Sequence, residues 1–138
     1  LTIRTWVYSK LSSDPIASEV GGVENPRVFA KKSMTSSIEE HPFIVYKLGN
    51  NTDDAFSEDV EVETQYIQIW VHDFTDEKSG DYMQIDRILG IIKSQFDKAV
   101  SPDDGVIRCI YLETSQDLDD NTLNTIFKYL RLAVKVKR

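Results

Sequence analysis

The run Ile110 to Asn121, IYLETSQDLDDN, sets Asp117 and Asp119 at Asp-x-Asp spacing with Asp120 beside them. That spacing can open a calcium loop, because neighbouring carboxylates can turn towards one hard cation. The glycine and the distal bidentate glutamate of such a loop are missing. Asx-type turn chemistry accounts for the same residues more simply. A second set is His72 with Asp73, Asp76 and Glu77, ordinary ligand types for a divalent ion. Its spacing matches no zinc motif, and the bland alternative is a solvated strand end. A small metal-dependent enzyme would draw on His72, Asp73, Asp117 and Asp119. His41 precedes Pro42 in a loop, far from His72 in sequence. Cys109 is the one cysteine, so no internal disulfide forms. Its alternation with apolar residues predicts a buried, inert thiol. The chain has no G-x-S-x-G turn, P-loop or dinucleotide glycine pattern. Motif and composition alone therefore support a soluble domain without an evident active site, and no cofactor or metal is expected.

Charge offers a different chemistry. The formal net charge is −7. Phosphate backbones repel such a chain at long range, which argues against a nucleic-acid reader. Asp53, Asp54, Glu58, Asp59, Glu61 and Glu63 fall in one stretch with no base among them. The bases gather elsewhere, at Lys31–Lys32 and at Arg131, Lys135, Lys137 and Arg138. Segregation of this kind suits charge-complementary docking between copies or with a partner. The alternative is an ordinary solvated loop and a basic tail.

The elements that must position these groups follow from periodicity. Ile3, Trp6, Val7 and Leu11 predict a helix over 2–12. Asp14-Pro15 reads as an N-cap with proline at the first helical position, and Gly21-Gly22 as the stop, giving a short second helix or turn. Arg27 to Ala30 suits a short strand, and 31–41 a polar loop. Phe43 to Leu48 predicts a strand, bounded by Pro42 and Gly49-Asn50. An acidic loop, 50–61, follows. Val62 to His72 alternates: Gln65, Ile67, Ile69 and Val71 share one face, and Tyr66, Gln68 and Trp70 the other. Bulk on both faces suggests a core on one side and a subunit contact on the other. Tyr82, Ile85, Leu89, Ile92 and Phe96 mark an amphipathic helix over about 81–98. Ser101 to Gly105 is a turn cluster. Strands are expected at 106–114 and 125–137, the latter also compatible with a helix.

Length and composition bound the result. At 138 residues, 41% hydrophobic and 28% charged, the chain fits one globular domain, 1–138. No apolar run approaches a membrane span, and the opening residues lack the order of a signal peptide, so cytosolic synthesis is expected. The element order predicts a single α+β domain. It would hold a mixed or antiparallel sheet of about four main strands, with an N-terminal helix and the long helix packed on it. The connection from strand 62–72 through the helix to strand 106–114 is long enough for a parallel crossover.

Three blocks carry a resemblance. They are TIRTWVYSKL; HPFIVYKLGN with TQYIQIWVHDFTDEKSGDYMQIDRILGIIKSQF; and IRCIYLETSQDLDDNTLNTIFKYLRLAV. Together they cover most of residues 2–12 and 41–134. The chain resembles the tail terminator proteins of long-tailed bacteriophages with non-contractile tails, also called tail completion or head–tail joining proteins. The resemblance implies a ring, typically hexameric, on the head-proximal end of the tail tube. Such a ring stops tube polymerisation and offers the docking surface for the filled head, and DNA passes through its lumen without specific binding. The implied partners are further copies, the tail tube protein and a head-side connector or stopper, with no membrane. The implied location is the virion, at the head–tail junction, after assembly in the host cytoplasm. A closed ring needs two different complementary patches per subunit. On that logic Asp53, Asp54, Glu58, Asp59 and Glu61 are expected at the lumen or an axial face. Lys135, Lys137, Arg138, Asp117, Asp119 and Asp120 are expected at subunit or docking contacts. Neighbouring roles, such as adaptor, stopper or tube subunit, share the same ring logic.

Overall fold

The computed structural model describes residues 3–30, 42–53, 62–74, 82–120 and 125–137. Helix α1 spans Ile3–Leu11 and buries Trp6, Val7 and Leu11, the apolar set its spacing predicts. Beyond its end the Ser13 hydroxyl donates to the Lys10 carbonyl at 2.9 Å, satisfying a group that the helix leaves open. No second α-helix follows. Asp14 is not an α-helical N-cap; its Oδ1 accepts the Ser18 N–H at 3.1 Å across a turn. One 3-10 turn, Ala17–Glu19, is all that forms. Too few residues separate Pro15 from Gly21 to offset helix nucleation. Gly21 and Gly22 adopt φ of 110° and 91°, which glycine alone tolerates freely.

Among the described residues six strands form one mixed sheet: the four long strands expected, with two three-residue strands added. The six are β1 (Val28–Ala30), β2 (Phe43–Asp53), β3 (Val62–Phe74), β4 (Val106–Thr114), β5 (Leu118–Asp120) and β6 (Thr125–Lys137). The order is β1-β2-β3-β6-β4, with β5 also paired to β6. β1 runs parallel to β2, and every other pairing is antiparallel. β3 and β4 are therefore parallel to each other, as the long connection allows, but β6 lies between them. Helix α2, Tyr82–Phe96, makes the crossover.

Two strands outrun their expected ends. β2 continues through Gly49-Asn50 to Asp53 because the chain absorbs the turn signal as a register shift between Leu48 and Asn51. Gln65 Nε2 donates to the Gly49 carbonyl at 2.9 Å and to the Tyr66 carbonyl at 3.0 Å, holding this irregularity in place. A side chain at residue 49 would put its Cβ 3.4 Å from the Tyr66 oxygen. The 50–61 loop of the sequence reading thus begins later, since Asp53 pairs with Glu63 in the sheet. The acid-rich turn is also shorter than read. Leu118–Asp120 pair with Phe127–Thr125 and extend the β4–β6 hairpin past Ser115.

One core joins all this. Ile85, Ile88, Leu89, Ile92 and Phe96 of α2 and Trp6, Val7 and Leu11 of α1 pack on one sheet face. That face presents Ile44 and Tyr46, Ile67, Ile69 and Val71, Cys109, and Leu130, Leu132, Val134 and Val136. Trp6 meets Phe96 edge-on at 5.5 Å. Burial of each large aliphatic chain contributes about 2 kcal/mol. α2 stops at Phe96 rather than at residue 98, and Lys98 takes φ of 67°.

Candidate docking surface

Alternation along the strands decides where each candidate residue points. Lys47 of β2, Tyr66, Gln68 and Trp70 of β3, Phe127, Tyr129, Arg131 and Lys135 of β6, and Arg108 and Glu113 of β4 share registers on the face away from the helices. No residue of this face belongs to the core under the helices. Tyr66, Gln68, Trp70, Phe127, Tyr129, Arg131 and Lys135 are half-buried, while Lys47, Arg108 and Glu113 are exposed. Trp70 and Tyr129 pack with ring centroids 6.3 Å apart. Arg131 pairs with Glu113 at 3.0 Å. Phe43, Val45 and Ala133, on the same face, are buried.

One end of this face is closed by aromatic stacking. His72 is 4% exposed, not solvated as a strand end would be. Its ring lies 4.8 Å from Phe43 and 4.9 Å from Phe127, stacked on both. Its Nδ1 is 2.8 Å from the Thr125 hydroxyl, also buried. Period-two geometry sends Asp73 to the opposite face, so His72 and Asp73 cannot share one ion. Asp76 and Glu77 lie outside the described residues, as do His41, Lys31 and Lys32.

Asp117 and Asp119 of the acidic turn lie on the helical side instead. Asp73 and Asp119 both pair with Ile126, from its two sides. Lys128, in the next position on that face, bonds Asp86 of α2 at 2.6 Å and approaches Asp117 at 3.7 Å. The Asp86 hydrogen bond, with the Asp86 and Asp117 charges, raises the Lys128 pKa against the opposing effect of burial. Tyr82 donates to the Leu118 carbonyl at 2.8 Å. Its pKa is raised by burial and by Asp117 and Asp119. A lysine thus sits among these acids, and the arrangement ties α2 to β5 and β6. Among the described residues no group of three or more His, Cys, Asp or Glu side chains could hold a metal.

The remaining candidates are placed as follows. Cys109 is fully buried, and burial pushes its thiol up to about 12. Lys137 is exposed at the end of β6, beside an open cavity of about 490 Å³ that Arg4, Glu63, Gln65 and Asp104 also line. Asp119 is exposed, and Asp120 pairs with Thr125 in the sheet. Asp54, Glu58, Asp59, Glu61 and Arg138 lie outside the described residues.

The outer edge of β4 is already occupied. Ser101 and Val106 exchange two backbone bonds, and Cys109 bonds Lys98 and Ala99 at 2.7 and 3.0 Å. Asp97 Oδ1 accepts the Tyr111 N–H at 3.0 Å. The segment after α2 therefore fills the positions where another strand would add. The sequence reading identified Tyr66, Gln68 and Trp70 as a second face but not Lys47, Arg108 or Glu113, or the residues of β6 as their continuation. The signal was present in β6, where Phe127, Tyr129, Arg131, Ala133 and Lys135 alternate with Leu130, Leu132 and Val134. No protein-family model matches the chain, and a search of curated proteins finds no match either. No helix among the described residues is long and apolar enough to cross a membrane.

Proposed function

We propose that this protein is a structural virion component, a tail terminator whose ring caps the head-proximal end of a non-contractile phage tail tube. It stops tube polymerisation, receives the head and lets DNA pass through its lumen. It is not an enzyme. The observation that supports this reading is the sheet face away from the helices, where half-buried aromatics stand with Lys47, Arg108, Arg131 and Lys135 in a chain of net charge −7. Ring subunits need two different, complementary patches, and a face of aromatics and cations can serve as one. The sequence resemblance in the three blocks supports the choice of family, with the tail tube protein and a head-side connector as partners. The acidic stretch from Asp53 to Glu61 then lies on the lumen or an axial face, where phosphate finds no counter-charge. Electron microscopy of the purified chain mixed with tail tubes tests the role. Tubes capped at one end by a single ring are expected; indefinite polymerisation of the chain itself would make it a tube subunit instead. Stoichiometric divalent metal in the purified protein would favour a metal-dependent enzyme and overturn the structural reading.

A further inference from the structure

We draw no further inference here: the strongest candidate, the open cavity of about 490 Å³ between the first turn of α1 and the ends of β3 and β6, is lined by Arg4 and Lys137 as well as by Glu63 and Asp104, so its charges select no ligand chemistry, and nothing in the structure shows what covers it.

Discussion

The Asp97 carboxylate accepts the Tyr111 N–H at 3.0 Å, so a side chain just past the helix stands where a foreign strand would bond. Asp97→Ala leaves that N–H without its charged acceptor and should cost about 1–2 kcal/mol. The open edge should also raise the tendency to aggregate. Urea unfolding and light scattering check both. Asp97→Asn keeps an acceptor oxygen and should retain most of the stability; equal loss in the two variants would mean that the bond contributes little.

His72 should behave as a packing residue that also contacts the Thr125 hydroxyl. Its ring fills the space between Phe43 and Phe127, so His72→Ala should cost about 3 kcal/mol by leaving a cavity. His72→Phe preserves the stack and loses the contact with the Thr125 hydroxyl, at about 1–2 kcal/mol. A double-mutant cycle with Thr125→Val should show coupling between the two sites. Additive effects would mean that the 2.8 Å contact is not stabilising.

Lys128 holds α2 to the β5 region through Asp86 and Asp117. Lys128→Met should lower stability by about 1 kcal/mol at most, because both acids are more than half exposed. The pKa of Lys128 is raised on folding. Its contribution is therefore fully present below the ordinary lysine value and is lost as pH rises through the higher folded value. Alkaline unfolding curves of wild type and Lys128→Met should converge in that range. A constant gap would argue against the linkage.

Cys109 should resist thiol reagents in the native protein. Burial holds the thiol near 12, so almost no thiolate exists at pH 8. Labelling by iodoacetamide should follow unfolding, with full reaction in denaturant. Because the folded value lies above the ordinary one, the neutral thiol favours the folded state, and that advantage falls as pH climbs from about 9 towards 12. Rapid native labelling would show that the strand opens locally.

α2 and β3 were legible in the sequence because each keeps one period over a long run, which in α2 the single Gly90 does not interrupt. The buried Cys109 was legible for the same reason. Gly49-Asn50 misled because a turn signal and a bulge use the same residues, and Gln65, sixteen positions away, decides between them. β5 was missed because Leu118–Asp120 have little strand propensity; they pair only because Phe127–Thr125 are held opposite them. His72 was read as solvated because its burial depends on Phe43 and Phe127, which reach it from other strands. The face away from the helices spans four strands, so no local window contains it.

β6 bonds three strands, with β3 on one side and β4 and β5 on the other. Until it inserts, β1-β2-β3, β4 and β5 are separate pieces that no ladder joins. The helix that connects β3 to β4 has at that stage only part of the surface on which it rests. The molecule should therefore close in one late, cooperative step rather than strand by strand, with the slow approach expected of distant pairings. Pulsed hydrogen exchange should then show the amides of β3, β4 and β6 gaining protection together, and a staggered order would contradict it. During synthesis the same topology leaves Ile67, Ile69 and Cys109 without their partners Leu132, Leu130 and Val134 until β6 has left the ribosome.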